Sequence, residues 1–330
     1  MKKQKIVLPG GTGFMGKTIA GHFSQLNWEV VILSRTPKKE EPNIRFVQWD
    51  GKTTGSWTKE LEGADVVVNL CGKSVDCRYN PKNRQEIFDS RINSTRALGL
   101  AIQNSKQPPA LWINLASATI YRHSEDTNMD EGNGEIGSGF SVEVCKRWEK
   151  EFFFHSNGST RQVALRTAMV LGTEGGVLKK MKFFAKLGLG GKYANGKQFL
   201  SWIHETDFIR VIEWMIENKS ASGIYNAAAP EPMQDWEFGL NVRHAVNRNF
   251  GLNKPEWLLK IGAFFLGTET ELVLKSRRVV PGRLLYEGFR FKFNQADEAI
   301  KNLAHSSPVA RKEYPKILPT SHSSIEHRIV

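Results

Sequence analysis

The stretch that decides the fold is KIVLPGGTGFMGKTIAGHF, residues 5–23. A run of aliphatic residues leads into the spacing G-x-x-G-x-x-G, formed by Gly10, Gly13 and Gly16, and a helical pattern follows. Glycine allows a tight turn at the first position, close approach of a ligand to the main chain at the second, and close helix–strand packing at the third. The helix that follows the glycines begins with free N–H groups, and these favour an anion at its N-terminus. The stretch predicts a dinucleotide site; the alternative is an ordinary strand–helix turn.

Short apolar runs alternate with helical segments as far as Thr167. The runs that predict strands are KIVL, EVVILS, IRFVQW, ADVVVNL, ALWINLA and RQVALRT, and the helical spacing is clearest over residues 13–26, 91–103 and 142–155. Strand, helix and strand in repetition are typical of a doubly wound parallel sheet. The sequence therefore predicts an α/β, Rossmann-type fold.

The texture of the chain changes after this alternation. We expect residues 1–172 to form the nucleotide-binding domain, and residues 201–230 to return to its sheet through SGIYNAAAPEP. Residues 173–200 and 231–303 are predicted to form a smaller, partly helical substrate domain. The remaining residues, 304–330, are rich in Ser and Pro and are expected to be a disordered tail.

The composition narrows the class of protein. The formal charge of +12 favours anionic partners in general, without choosing among nucleotide, phosphorylated substrate, nucleic acid and membrane. The 3 Cys form neither a metal-ligand pattern nor an even disulfide framework, which suits a reducing compartment. Because we find no signal peptide, no membrane-spanning apolar run and no nucleic-acid motif, we expect a soluble cytoplasmic protein that binds a small molecule, without a metal.

The segment LSRTPKK after the second strand predicts which cofactor binds. An acidic residue at this point would bind the ribose hydroxyls of NAD, but the chain has Ser34 and Arg35 there, followed by Lys38 and Lys39. Arginine can pair with the 2′-phosphate that an acid would repel. We predict that NADP(H) is preferred over NAD(H); the alternative is a solvated surface arginine.

Other predicted cofactor contacts lie in the glycine loop and at the ends of the third and fourth strands. Asp50 could meet the adenine edge or could cap a turn. The other predicted contacts are Thr12, Phe14 and Met15 in the loop, and Asn69, Leu70, Cys71 and Gly72 after the fourth strand.

The motifs GGTGFMG, NLCG, LASATIY, LRTAMVLG, SWIHETD and GIYNAAAP occur in the order found in extended short-chain dehydrogenase/reductases. Together with SRINST, CKRWE and GGVLKKM they resemble, more narrowly, the atypical branch of NAD-dependent epimerase/dehydratase-like proteins. The resemblance implies a Rossmann sheet, a small C-terminal domain of unsettled role and a possible homodimer.

The resemblance also implies a catalytic Ser or Thr, a Tyr and a Lys. Ser117 matches the serine, but alignment on Glu149 puts Ser141 and Cys145 at the Tyr and Lys positions. Both catalytic groups are therefore missing. Tyr121 could replace the acid or could be a packing aromatic. Cys145 could be a thiol acid or a small buried residue.

Substrate contacts are predicted mainly from the resemblance, which implies Arg166, Gln198 and Trp202 as residues that line a pocket. His204 could position a substrate, or its segment could attach a helix to the sheet. Residues 179–197 carry several Lys and no acid, which indicates either an anionic substrate or a solvated helix face. We expect an NADP(H)-dependent oxidoreductase or epimerase-like enzyme with a non-standard acid; the alternative is a non-catalytic NADP(H) sensor.

Overall fold

The computed structural model describes residues 3–36, 38–253 and 275–305. Seven parallel strands form the main sheet in the order β3-β2-β1-β4-β5-β6-β10. The strands are β1 Lys5–Pro9, β2 Glu29–Ser34, β3 Ile44–Gln48, β4 Val66–Asn69, β5 Leu111–Asn114, β6 Arg161–Thr167, β7 Met169–Leu171, β8 Phe199–Leu200, β9 Trp202–His204, β10 Gly223–Ala227 and β11 Met233–Gln234. The predicted Rossmann-type fold is confirmed.

Helices cover both faces of this sheet. They are α1 Phe14–Gln25, α2 Pro81–Gln103, α3 Phe140–Phe154, α4 Gly176–Lys186, α5 Glu205–Glu217, α6 Asp235–Ala245, α7 Gly282–Tyr286 and α8 Ala296–His305. Ile6 and Leu8 of β1 pack with α1 and α5, whereas Val7 packs with α2 and α3 on the opposite face. This alternation follows from the two-residue period of a strand, and continuous apolar runs are needed because both faces are buried.

Helix α2 begins at Pro81, although the apolar spacing predicted a helix only from Arg91. Its first turns read PKNRQE and carry too few apolar residues to show a helical period. The start is instead defined by its cap, because the Asn80 side chain accepts a hydrogen bond from Asn83 N and proline occupies the first helical position.

A second cluster of buried apolar side chains joins α4, α6 and α8 to strands β7 and β9. Helix α8 extends to His305, so the predicted tail does not start at Ala304; residues 306–330 lie outside the described residues. The predicted domain boundaries stay a prediction. In the ranges that the structure describes, no helix combines the length and apolar character needed to cross a bilayer.

Asp207 in the first turn of α5 holds the C-terminal segment against the sheet domain. Its side chain is fully buried and accepts hydrogen bonds from Arg210 Nη1 at 2.7 Å, Lys292 N at 2.9 Å and Phe293 N at 2.8 Å. A buried carboxylate is stable only when it is paired and fully hydrogen-bonded, as this one is.

We predict that Asp207→Ala lowers the free energy of unfolding by about 3 kcal/mol, because it leaves two backbone N–H groups and a guanidinium without their acceptor. Urea denaturation followed by circular dichroism measures this change. The control is Asp297→Ala, which removes a partly exposed carboxylate paired with Lys301 at 3.3 Å and should cost less than about 1 kcal/mol. Equal losses for the two variants would contradict the anchoring role.

Candidate functional site

The first and third glycines of the loop have the turn and packing roles that their spacing predicts, and the ligand contact of the second stays a prediction. Gly10 has φ +73°, and a Cβ there would lie 3.0 Å from Cys71 Cα. A Cβ on Gly16 would lie 2.2 Å from the Gly11 carbonyl oxygen, so helix α1 could not approach β1 with any other residue. A Cβ on Gly13 would meet nothing within 4 Å. The protein itself therefore does not require glycine at position 13, and the space in front of it can take a ligand.

The N-terminus of α1 opens onto the same space. Gly13 is its N-cap, no side chain caps it, and no acidic residue lies in its first turn. Free N–H groups at such an end bind a phosphate oxygen, and the helix dipole favours its charge. Thr12 and Met15 are half-buried beside this end. Phe14 packs across the loop before α4, because a Cβ on Gly172 would lie 2.2 Å from its Cζ.

Asn69 shapes the turn after β4, which faces the glycine loop. Its buried amide donates to Asn114 Oδ1 at 2.8 Å and to Thr95 Oγ1 at 3.2 Å, while its oxygen accepts from Cys71 N at 3.1 Å. Leu70 packs against the core. The Gly72 backbone lies close to Arg91, whose Cζ would be 3.0 Å from an added Cβ. The Asn69 side chain therefore fixes the turn, and a larger residue at Gly72 would require the Arg91 side chain to shift.

Ser34 is the last residue of β2, and Arg35 follows it beside this loop. The Gly10 N–H donates to the Leu33 carbonyl at 2.9 Å, which ties the glycine turn to the end of the strand. Ser34 Oγ donates to the Thr36 carbonyl at 2.9 Å. Burial raises the pKa of the Cys71 thiol to about 12, and the charge of Arg35 is close enough to offset part of this rise. Arg35 is exposed, and no carboxylate of the described ranges forms a salt bridge with it.

Asp50 caps a turn, which was the alternative to its contact with adenine. Its carboxylate accepts hydrogen bonds from Lys52 N and Thr53 N, each at 2.9 Å, and from Thr53 Oγ1 at 2.7 Å. These contacts close the loop after β3 and fix the conformation of that turn. The predicted contact with adenine stays a prediction without support from these contacts.

Ser117 lies at the carboxyl end of β5, as the resemblance implied. It caps a short 3-10 turn, since its Oγ accepts from Thr119 N at 3.2 Å and donates to Thr119 Oγ1 at 3.0 Å. Its backbone pairs with Thr167 at the end of the neighbouring strand. The hydroxyl is half-buried at the edge of the sheet where ligands bind in this class of fold.

Tyr121 and Arg166 belong to a buried hydrogen-bond network. Arg166 donates from Nε and Nη2 to the two carboxylate oxygens of Glu149, both at 2.8 Å, and from Nη1 to the Tyr121 hydroxyl at 2.9 Å. That hydroxyl donates to Asn226 Oδ1 at 3.0 Å, and burial raises the pKa of Tyr121. That Arg166 lines a pocket stays a prediction, and its guanidinium is paired with Glu149. The contacts of Tyr121 favour the packing alternative.

Gln198, Trp202 and His204 are also buried, and each has a structural partner. Gln198 Nε2 donates to the Tyr193 carbonyl at 3.2 Å, and Trp202 Nε1 donates to the Glu231 carbonyl at 2.9 Å. His204 caps α5, because its Nδ1 accepts from Thr206 N at 2.9 Å, and its ring stacks on Phe293 with centroids 3.9 Å apart. Their pocket role stays a prediction; of the three, His204 joins the start of α5 to Phe293 of the C-terminal segment.

The Lys-rich residues 179–197 fit the interpretation as a solvated helix face, which was the alternative to contact with an anionic substrate. The Lys side chains of α4 are exposed or half-buried, and Lys180 forms a salt bridge with Asp76. Across the described ranges no three His, Cys, Asp or Glu side chains gather in a way that could hold a metal ion.

Sequence reasoning missed Arg91 and Tyr79, which lie beside the Ser141 and Cys145 positions. Arg91 Nη1 donates to the carbonyls of Lys73 and Ile87, each at 3.1 Å. The Tyr79 hydroxyl lies 3.5 Å from Ser141 Oγ. The only signal for Arg91 was a charged residue in the motif SRINST, and nothing in the local sequence marked Tyr79.

Two family models match the chain. The model of the NAD dependent epimerase/dehydratase family matches residues 6–228. A domain of unknown function (DUF1731) matches residues 255–303, of which the part before Lys275 lies outside the described residues. The two matches follow one another in the order that the resemblance implied.

Among relatives, epimerase family protein YfhF of Bacillus subtilis (strain 168) is 33% identical over 299 residues, 90% of this chain and 97% of that protein. The crystal structure of human epimerase family protein SDR39U1 (isoform2) with NADPH is similar with a TM-score of 0.81 and 28% identity, over 91% of this chain and 99% of that chain.

A more distant structure is UDP-glucose 4-epimerase of Thermus thermophilus in complex with NAD, with a TM-score of 0.68 and 15% identity over 91% of this chain and 98% of that chain. This likeness shows the fold alone. The family model and the likeness to YfhF together show more than the fold. The chain belongs to the NAD dependent epimerase/dehydratase family.

Proposed function

We propose that the protein binds NADP(H) at the glycine loop and transfers a hydride between this cofactor and a carbonyl or hydroxyl substrate. The observation that carries the cofactor preference is Arg35, which is exposed directly after β2 and beside the glycine loop. Among the residues that the structure describes, no carboxylate forms a salt bridge with it. The 2′-phosphate distinguishes NADP(H) from NAD(H), and guanidinium recognises phosphate through paired charge-assisted hydrogen bonds.

Different residues of the site would contact different parts of such a cofactor. The N-terminus of α1 would bind the pyrophosphate, with Gly13 leaving room for its oxygens. The turn at Cys71 and Gly72 would lie along the cofactor at the carboxyl end of β4. NADPH supplies the hydride when it is bound. Ser117 would turn its hydroxyl proton from Thr119 Oγ1 to the substrate oxygen and so donate a hydrogen bond from the end of β5. The human relative was solved with NADPH, which supports the cofactor assignment.

A second candidate function is a non-catalytic NADP(H) sensor that acts on another protein. The observation that favours it is the replacement of the family's Tyr and Lys by Ser141 and Cys145. Hydride transfer to any carbonyl compound would exclude this candidate. An anionic substrate, a homodimer and a cytoplasmic location are further proposals that rest on the sequence alone.

We predict that Arg35→Glu weakens NADPH binding at least tenfold, or about 1.4 kcal/mol, because it places a carboxylate beside the 2′-phosphate. NADH affinity should change much less. Fluorescence titration measures both. The control is Arg248→Glu, the same change of charge at an exposed residue after α6, which should leave NADPH binding unchanged. If Arg35→Glu binds NADPH as tightly as the wild type does, the 2′-phosphate assignment is wrong.

Two glycine variants separate ligand binding from folding. Gly13→Ala should keep the wild-type melting temperature, because its Cβ meets open space, but should weaken NADPH binding severalfold by crowding the phosphates. Gly16→Ala should lower the melting temperature by several degrees, because its Cβ would overlap the Gly11 carbonyl. Thermal unfolding and NADPH titration of both variants measure this. Full NADPH affinity in Gly13→Ala would count against a ligand at that position.

Ser117→Ala tests the reaction itself. We expect it to abolish NADPH oxidation with any carbonyl compound that the wild type reduces, while NADPH affinity stays unchanged, because the hydroxyl is assigned to the substrate oxygen and not to the cofactor. The matched control is Ser159→Ala, an exposed serine before β6. Unchanged turnover in Ser117→Ala would remove this residue from the mechanism.

A further inference from the structure

Side chains from outside α3 lie beside the two α3 positions at which the family's Tyr and Lys are missing. Ser141 and Cys145 lie one turn apart on α3 and are both buried. Cys145 belongs to the same buried cluster as Ala118, the residue that follows Ser117. Burial raises the pKa of the Cys145 thiol to about 12, so it is neutral and cannot serve as a thiolate or supply a charge.

Tyr79 brings a phenol to the first of these positions. It immediately precedes Asn80, the N-cap of α2, and its hydroxyl lies 3.5 Å from Ser141 Oγ. Its ring packs edge-on against Phe140, with centroids 5.0 Å apart and an interplanar angle of 66°. The phenol hydroxyl therefore lies at the first turn of α3, beside the residue that stands in the place of the family's tyrosine.

Arg91 brings a positive charge to the second position. It lies on the face of α2 that packs against α3, with its Cζ 5.2 Å from the centre of the Trp148 ring. Its Nη1 donates to main-chain carbonyls, and no carboxylate in the described part of the chain forms a salt bridge with it. Burial lowers the pKa of Arg91, whereas the ionised forms of Cys145 and Tyr79 would raise the pKa of Arg91. Cys145 and Tyr79 therefore both lie close enough to Arg91 to feel its charge.

We propose that Tyr79 and Arg91 replace the tyrosine and lysine that α3 lacks, with Tyr79 as the proton-exchanging phenol and Arg91 as the cation that stabilises its phenolate. This inference rests on the proposed function. A nearby cation favours the ionised form of a phenol, and Tyr79 lies close enough to Arg91 for a Tyr79 phenolate to raise the pKa of Arg91. The pair is therefore supplied by α2 and the residue before its cap, instead of by one helix.

The step balances with these groups. In the reducing direction Tyr79 would give the proton of its hydroxyl to the carbonyl oxygen, while bound NADPH would supply the hydride that the carbonyl carbon accepts. The carbonyl π bond breaks, a C–H and an O–H bond form, and the carbonyl becomes an alcohol. The phenolate of Tyr79, opposite the charge of Arg91, then regains a proton from water.

Other charged side chains lie around Tyr79 and Cys145. Arg84 on α2 donates to the Tyr79 carbonyl at 2.9 Å. Arg166 on β6 and Arg277, in the segment before α7, both lie close enough to Cys145 to lower its pKa, while Glu149 raises it. Arg166 neutralises Glu149. Glu143 in the first turn of α3 is likewise paired, with Arg147 and Lys146. Neither of these α3 carboxylates therefore stands as an unpaired negative charge beside Ser141 and Cys145.

The experiment is a pH titration of tyrosine ionisation by ultraviolet absorbance in the protein without cofactor. We expect the wild type to contain a tyrosine whose pKa lies below the ordinary value of about 10. It should be absent in Tyr79→Phe, shifted upward by about one pH unit or more in Arg91→Met, and retained in Arg91→Lys, which keeps the charge. The control is Tyr286→Phe, which removes a side chain that is 93% exposed and should leave the low-pKa tyrosine in place.

The inference is overturned if no tyrosine ionises below the ordinary range, if such a tyrosine persists in Tyr79→Phe, or if Arg91→Met leaves its pKa unchanged. NADPH titration of the same variants separates this result from the proposed function. Normal NADPH binding with an ordinary Tyr79 would overturn the inference alone. A low-pKa Tyr79 in a protein that does not bind NADPH would support the Tyr79–Arg91 pair and overturn the proposed function.

Discussion

The contact on which the site depends is the one between the start of α1 and the turn after β1. Gly16 lies so close to the Gly11 carbonyl that a single added carbon would be 2.2 Å from its oxygen. Because no side chain separates helix and strand, the free N–H groups of α1 open directly at the carboxyl edge of the sheet. The hydrogen bond from Gly10 N to the Leu33 carbonyl brings the end of β2 to the same point. Arg35 lies beside the glycine loop for this reason.

Buried charges attach the rest of the chain to that sheet. The pair between Arg166 and Glu149 fixes α3 against β6, and the carboxylate of Asp207 fixes the C-terminal segment against α5. Removing a charge from water is costly, so each of these groups is stable only with its hydrogen bonds complete. Side chains engaged in this way are not available to a substrate. Beside Ser141 and Cys145 lie Tyr79, which precedes the cap of α2, and Arg91 on α2, together with Arg277 of the C-terminal segment.

The sequence was sufficient wherever the signal is local. Buried parallel strands give continuous apolar runs, and the demands on Gly10 and Gly16 follow from backbone geometry within a few residues. It was insufficient where a role depends on a distant partner. The sequence around Arg166 would be the same whether its side chain faced a ligand or Glu149. Likewise, the sequence around His204 does not distinguish an acid from a helix cap. Tyr79 was missed because no periodicity links the segment before α2 to the first turn of α3.

The most direct test of the central claim is a calorimetric titration of the wild-type protein with NADPH and, separately, with NADH at the same ionic strength. We expect NADPH to bind at least tenfold more tightly, a difference of about 1.4 kcal/mol contributed by the 2′-phosphate. Equal affinities would contradict the role of Arg35. Binding of neither nucleotide would contradict the assignment of the glycine loop as a cofactor site.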